Sequence, residues 1–212
     1  MTEVIIPEIA AFISQKVQIR HSGTRRRTTT ETGVYGVFLF DVDHFKAIND
    51  TLGHTAGDRM LQQMSYLLRR SVRQDDFVVR WGGEEFLVVL RFSDRDHLDH
   101  YARRVREQVE QTTFLVSDGE GGAVKKTTSL GYVSLPFFDE EPSLLEFEQA
   151  VQLADQALYI AKESGRNRAV RIVSTGKVPE GSDLGRVARS VQWGVDNGYV
   201  RIEAFTPMSE QG

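Results

Sequence analysis

The chain has 212 residues, no cysteine, 40% hydrophobic and 26% charged residues, and a formal net charge of −4. That composition suits one large water-soluble domain, or one domain with an appendage, able to bury about 70% of its unfolded surface without staples. It excludes a disulfide framework, a thiolate metal site and a cysteine nucleophile. It also excludes the global basic field that a nucleic-acid polymer or an anionic membrane would require, so a phosphate-bearing ligand must find its counter-charge locally.

In chain order, the first apolar run, "VIIPEIAAFI", is short and broken by Pro7 and Glu8. It is neither a membrane span nor a signal peptide, and a cytoplasmic location is expected. "SGTRRRTTTETG" (22–33) reads as a basic, threonine-rich mobile linker rather than a binding patch. Residues 34–40, "VYGVFLF", form a continuous apolar run, the pattern of a strand buried on both faces. "DVDHFKAIND" follows, with a glycine-containing break at 53–57. From Asp58 to about Arg73, Met60, Leu61, Met64, Leu67, Leu68 and Val72 recur at helical spacing.

Residues 76–81 and 86–91 read as strands around a Gly-Gly turn, and 95–111 as an amphipathic helix. The segment 124–135 predicts another strand, 144–163 a helix ended by Gly165, and 168–173 a short strand. Residues 174–182 form a Gly/Pro/Ser linker, beyond which 183–196 predicts a helix and 198–205 a strand. Strand, helix, hairpin, helix, strand, helix, strand is the order of an α/β sandwich with an antiparallel or mixed sheet.

The chemistry-bearing residues sit where these elements end. Asp41 and Asp43 close the apolar strand in "FLFDVDHFK" and share a face if strand periodicity continues. A carboxylate there needs a partner, because an unpaired buried charge is costly. Asp and Glu without His or Cys form the donor set of a hard cation, hence Mg²⁺ or Mn²⁺. Such an ion takes one or two protein carboxylates and leaves its other positions to water and substrate phosphates, so Asp41 with Glu84 of "RWGGEEF" would suffice. The plainer alternative is a capping Asp and a polar hairpin turn.

Asn49 and Asp58 bracket a loop with two glycines and His54. An Asp carboxylate accepts from N1–H and the exocyclic amine of guanine, and adenine has no donor at N1. Asp58 reads equally as a helix N-cap. Lys162 and Arg166 lie at a helix C-terminus, where they complement the dipole or grip phosphate.

"FDVDHFKAINDTLGHTAGD", "RWGGEEF" and "ADQALYIAKESGRNRA" closely resemble the motifs of the GGDEF family, the diguanylate cyclases, in order and spacing from about residue 34 to 173. The resemblance implies an α/β (α+β) fold, a nucleotidyl-cyclase-like palm with a central, mostly antiparallel sheet wrapped by helices. It implies condensation of two GTP into cyclic di-GMP with release of two pyrophosphates, dependent on Mg²⁺ (or Mn²⁺), two ions per active site. Asp41, the Val42 carbonyl and Glu84 would hold metal. Phe45, Asn49, His54 and Asp58 match substrate-contacting positions, while Lys46, Lys162 and Arg166 match those that grip the phosphates. Glu84 or Glu85 is the expected proton acceptor, and the sequence does not choose between them. Asp43 is not assigned as a direct ligand. Because one domain holds one GTP, a homodimer is expected.

"RQDD", Arg73 to Asp76, has the spacing of the family's RxxD inhibitory site for cyclic di-GMP, with Arg104 completing it; a helix-terminal Arg and a turn Asp is the plain alternative. Arg suits the O6/N7 edge of guanine. One departure stands out: the D-x-L-T-G-L-x-N-R element that usually precedes the first helix is absent, although 8–22, "EIAAFISQKVQIRHS", look like the helix that follows it. Control is therefore expected from a regulatory protein partner or from the tail. The domain reading is an N-terminal helix and loop (1–33), a catalytic domain (34–173) and a C-terminal extension of unassigned role (174–212). A GGDEF-like module that binds GTP or cyclic di-GMP without turnover, signalling through protein contacts, is the alternative, and Glu84, Glu85, Asp41, Lys162 and Arg166 all stand against it.

Overall fold

The computed structural model describes residues 7–13, 33–117 and 122–206. Its centre is β1 (Val34–Val42), buried at every position and flanked on both sides by antiparallel partners, β3 (Glu85–Phe92) and β6 (Thr128–Leu135). A strand with neighbours on both edges and helices on both faces must be apolar on both, which is why "VYGVFLF" does not alternate. The full sheet has six strands in the order β2-β3-β1-β6-β7-β8, where β2 is Phe77–Gly82, β7 is Ala169–Ser174 and β8 is Val200–Phe205. Every neighbouring pair is antiparallel except β6–β7, which is parallel.

Strand parity divides the core in two. Tyr35, Val37 and Leu39 of β1 pack with α4 (Phe147–Glu163), and with Ile9 and Ile13 of the helical residues 7–13. Val34, Phe38, Phe40 and Val42 pack on the opposite layer, α2 (His54–Arg70) and α3 (Asp96–Gln111). Phe38 is fully buried and ringed by Phe40, Phe92, Tyr101 and Tyr132 at centroid distances of 4.9–6.3 Å. Truncating such a ring to alanine costs about 3–5 kcal/mol. Helix α4 lies tight against β6 because Gly131 has no side chain: a Cβ there would run into the Ala154 carbonyl and the Leu158 amide.

Several local expectations change. The helix expected from Asp58 begins at His54, so Asp58 sits in its second turn and is not its N-cap, which is Gly53. A separate helix, α1 (Phe45–Leu52), fills the stretch after β1, entered through left-handed His44 at φ 56°. The strand expected over 124–135 is interrupted. Ala123–Lys125 (β5) pairs with Thr113–Leu115 (β4) in a separate two-stranded ribbon, and only Thr128–Leu135 joins the main sheet. The single helix expected over 183–196 is two, α5 (Asp183–Arg189) and α6 (Val191–Asp196), broken at extended Ser190, whose hydroxyl caps the second by accepting from the Trp193 amide at 3.3 Å. The helix expected over 8–22 is described only at 7–13, and the basic loop 22–33 lies outside the described residues except at Gly33.

The C-terminal residues complete the sheet. Strand β8 pairs along all of β7, from Ala169↔Phe205 to Ser174↔Val200. The α5–α6 junction is fixed to α4 by one side chain, Gln156, which donates to the Ala188 carbonyl at 2.7 Å and accepts from the Val191 amide at 2.7 Å.

Candidate active site at the end of the central strand

Parity carries Asp41 onto the same face of β1 as Val37 and Leu39, the face that α4 covers. There Lys162, in the last turn of α4, sets its Nζ 2.7 Å from Asp41 Oδ2. The Cα partner of Asp41 on β3 is Glu85, so two carboxylates stand side by side on neighbouring strands. Glu84 precedes them in the β2–β3 turn. Burial pushes the Asp41 carboxyl up to about 6; the hydrogen bond and charge of Lys162 oppose the rise, and Glu84 and Glu85 add to it. Burial also raises the Glu85 carboxyl, against the pull of Lys162 and with repulsion from Asp155 and Glu84. Asp41 and Glu85 thus both feel one ammonium, and Glu84 is close enough to repel each of them.

The hairpin that brings Glu84 and Glu85 here is closed by Gly83 at φ +43°, the left-handed geometry that two-residue hairpins need at their first turn position. Arg80 Nε donates to the Gly83 carbonyl at 2.9 Å, and a register shift between Arg80 and Gly82 marks a bulge at Trp81. A Cβ placed on Gly82 or Gly83 would meet nothing within 4 Å. Crowding by protein therefore does not explain these glycines; the space before them is open.

Asp43 is buried yet turned to the protein. Its carboxylate accepts from Ser129 Oγ at 2.7 Å, Thr127 Oγ1 at 2.6 Å and the Asn167 amide at 3.0 Å. On the other side of the β1 end, Phe45 and Asn49 of α1 pack against Gly57 of α2, whose missing side chain makes room for them. Exposed Asp58 follows Gly57 directly, so Asn49 and Asp58 both stand at the α1–α2 junction. Lys46 and His54 are exposed, and their side chains have no hydrogen bond or ion pair among the described residues. Arg166 is half-buried just past α4, at φ 63°, and its guanidinium is likewise without a partner there.

The described residues hold no group of three or more His, Asp or Glu side chains able to carry a metal ion by themselves. The donors present still fit a hard divalent cation of the Mg²⁺ kind, which takes one or two carboxylates and completes its shell from water and ligand oxygens. The buried Asp41 carboxylate, with Glu84, Glu85 and the open space before the hairpin, is such a partial shell. Within the protein itself, Lys162 is the counter-charge of Asp41.

The RQDD stretch forms a tight turn. Asp76 accepts from the Arg73 amide at 2.8 Å and the Arg91 amide at 3.3 Å, and Arg69 donates to the carbonyls of Asp76 at 2.8 Å and Gln74 at 2.9 Å. Arg73 and Asp76 line a cavity of about 470 Å³ walled by Phe12, Tyr35 and Phe77. Arg104 does not line it: its guanidinium donates to the Ser71 carbonyl at 3.3 Å and lies 5.5 Å over the Tyr101 ring.

Two contributors were not picked out from sequence. Asp155 lies two helical turns before Lys162, on the same face of α4, and that spacing was the available signal. Asn167 follows a glycine-ended helix in the left-handed conformation at φ 47°, which Asn tolerates better than most residues.

Comparison with known proteins identifies the family and the fold. A family model described as "Diguanylate cyclase, GGDEF domain" matches residues 12–168. The chain is 39% identical over 132 residues to diguanylate cyclase DosC of Escherichia coli, a match that covers 62% of this chain and 27% of DosC. Among solved structures, it resembles the active GGEEF domain of a diguanylate cyclase from Vibrio cholerae, at 30% identity and TM-score 0.55, over 64% of this chain and 81% of that one. It also resembles the GGDEF domain of DgcB from Caulobacter crescentus in complex with c-di-GMP, at 26% identity and TM-score 0.56, over 66% of this chain and 78% of that one. No helix among the described residues is long and apolar enough to cross a membrane. With its family match spanning residues 12–168 and its central, mostly antiparallel sheet shared with GGDEF domains of known structure, the chain belongs to the GGDEF family of diguanylate cyclase domains.

Proposed function

We propose that this chain is a diguanylate cyclase that condenses two GTP into cyclic di-GMP and two pyrophosphates, acting in the cytoplasm as a homodimer with one GTP per protomer. The observation that carries the reading is the meeting of Asp41, Glu84, Glu85 and Lys162 at one end of the sheet, in a family-matched chain that keeps both glutamates of its turn. The printed names of DosC and of the Vibrio cholerae domain support the same chemistry.

Asp41, the Val42 carbonyl and Glu84 would hold Mg²⁺ (or Mn²⁺), two ions per site. Bound there, the metal supplies charge neutralisation at the α-phosphate and activates the attacking hydroxyl. The remaining work belongs to side chains. Asn49 and Asp58, both at the α1–α2 junction, read the guanine edge, with Phe45 and His54 alongside. Lys46 and Arg166 are free to grip the triphosphate, and Lys162, ion-paired with Asp41 at the same end of the sheet, would join them there. Each 3′-hydroxyl attacks the α-phosphorus of the facing GTP; the new P–O bond forms as the bond to the β-phosphate oxygen breaks, and pyrophosphate leaves. The hydroxyl proton passes to Glu84 or Glu85. Cationic side chains at the leaving group are worth most where water is excluded, as between two apposed domains.

Cyclic di-GMP at Arg73 and Asp76, with Arg104 nearby, would restrain the domains and limit turnover. The test is direct: incubate the chain with GTP and Mg²⁺ and separate the nucleotides. Cyclic di-GMP is expected, with specific activity rising with protein concentration through the monomer–dimer range. GTP left intact at every concentration overturns the reading.

A further inference from the structure

Only three non-glycine residues among those described have positive φ: His44, Arg166 and Asn167. All three are gathered by Asp43 and its Asn167 partner, which Arg166 directly precedes. His44 follows Asp43 directly, and the Asn167 amide donates to Asp43 Oδ2 at 3.0 Å. With Gly165 at φ +114°, the chain after α4 takes three left-handed steps in succession. Each such step costs a non-glycine residue about 1–2 kcal/mol, so the turn persists only because something outside it over-determines it.

That something is a part-buried polar cluster built on α3 around a buried arginine. Arg106, only 3% exposed, donates through one guanidinium nitrogen to Glu110 Oε2 at 2.7 Å and to Asn167 Oδ1 at 2.8 Å. Asn167 Nδ2 donates in turn to Glu110 Oε1 at 2.6 Å. The Asn167 amide side chain is therefore gripped at both ends by α3, while its backbone grips Asp43 at the end of β1. A surface turn that needed only to end a helix would not require a buried arginine. Directly before Asn167 stands Arg166, whose guanidinium has no partner among the described residues, and two residues before Asp43 stands Asp41.

We propose that Asn167, locked by Arg106 and Glu110, is a positioning residue for nucleotide binding: it fixes the left-handed turn that presents Arg166 to the triphosphate and ties that turn to the strand end bearing Asp41. The proposal rests on the GTP reading above and adds to it the residues that aim the phosphate-gripping cation. Groups that orient a ligand-binding side chain in this way typically change affinity or activity roughly 10–100-fold when removed.

A double-mutant cycle on binding tests it without turnover. The probe is the α,β-methylene analogue of GTP with Mg²⁺, measured by calorimetry, since its bridge cannot be cleaved. Asn167→Gly keeps a residue at ease with positive φ and keeps the amide bond to Asp43, but removes the side-chain lock. It is expected to weaken binding roughly tenfold, and Arg166→Ala at least as much. Because Asn167 acts through Arg166, the double variant should bind no worse than Arg166→Ala alone. Losses that multiply in the double variant, or an unchanged affinity in Asn167→Gly, overturn the proposal. Should Asn167→Gly not fold, Glu110→Ala, at a partly exposed position, takes its place in the same cycle with the same outcomes. If the unaltered chain binds the analogue but makes no cyclic di-GMP from GTP, the cyclase reading falls while the cycle still decides the positioning role. No binding by the unaltered chain overturns both.

Discussion

Lys162 Nζ and Asp41 Oδ2 lie 2.7 Å apart, joining the last turn of α4 to the end of β1 across the mouth of the site. The ammonium holds a carboxylate that the proposed function gives to a divalent cation, and on that proposal the two cations would compete. Lys162→Met is expected to destabilise the metal-free fold by about 1–3 kcal/mol, the cost of leaving a largely buried carboxylate unpaired. Added Mg²⁺ should then stabilise this variant more than the unaltered chain. Urea unfolding with and without MgCl₂ gives both numbers; an equal or absent Mg²⁺ increment in the variant would show that Asp41 does not bind the ion.

The two glutamates of the turn are separable by their metal response. Glu84→Gln should raise the Mg²⁺ concentration needed for half-maximal activity, because a ligand is lost. Glu85→Gln should lower kcat roughly 10²–10⁴-fold at saturating Mg²⁺ with that concentration unchanged, as for removal of a proton acceptor. Initial rates over a Mg²⁺ titration distinguish the two, and the reverse pattern exchanges their roles.

At the RQDD turn, backbone and side chain carry different loads. Arg73 contributes its amide to the turn, whereas Asp76 contributes its carboxylate. Arg73→Ala should therefore leave stability within about 0.5 kcal/mol and abolish product inhibition. Asp76→Ala should also cost about 1 kcal/mol, since two backbone donors lose their acceptor. Progress curves with added cyclic di-GMP, beside thermal melts, test the pair; inhibition that persists in Arg73→Ala removes this turn from the product site.

Glu110 carries a pH signature. Burial alone would raise its carboxyl, but hydrogen bonds from Arg106 and Asn167, with the Arg106 charge, bring it below the ordinary value of 4.5. A depressed carboxyl stabilises the fold fully above its unfolded pKa and loses that contribution as pH falls through the folded one. The unaltered chain should thus lose stability below about pH 4.5 more steeply than Glu110→Gln. Equal slopes in urea titrations between pH 5 and about pH 3 would remove Glu110 from the acid response.

Gly131 sets the distance between α4 and β6. Gly131→Ala would press a methyl into the Ala154 carbonyl and Leu158 amide, both backbone. Overpacking of this kind costs about 1–3 kcal/mol, and here it also moves the helix that carries Lys162 and Asp155. A melt and an activity assay on the same sample should both decline; full activity at reduced stability would mean the site tolerates a shift of α4.

Much of this was legible from residue order. The apolar run of β1 could only be a central strand, and parity along it already put Asp41 and Asp43 on one face. What parity could not say is that the chain turns at left-handed His44, so that Asp43 is consumed by Ser129, Thr127 and Asn167 while Asp41 is not. Those partners come from segments 84 to 124 residues away in sequence, and no local pattern encodes them. The interruption of the strand expected over 124–135 was hidden for a similar reason. "AVKKTTSL" is uniformly strand-like in composition, and only tertiary pairing assigns Ala123–Lys125 to a ribbon of its own. Helix α1 was missed because eight residues ending at a glycine give too few turns for a period to show.

The family match ends at residue 168, one residue before β7, yet β7 has a full-length neighbour in β8. A final strand left bare would be an invitation to edge-to-edge aggregation. Here the outermost strand bears Arg201 and Glu203, ion-paired along its own length at 2.9 Å, a pair of charges set against further strand addition. The extension thus acts as a selvedge: it finishes the fabric at one side of the sheet and sets charge along the hem.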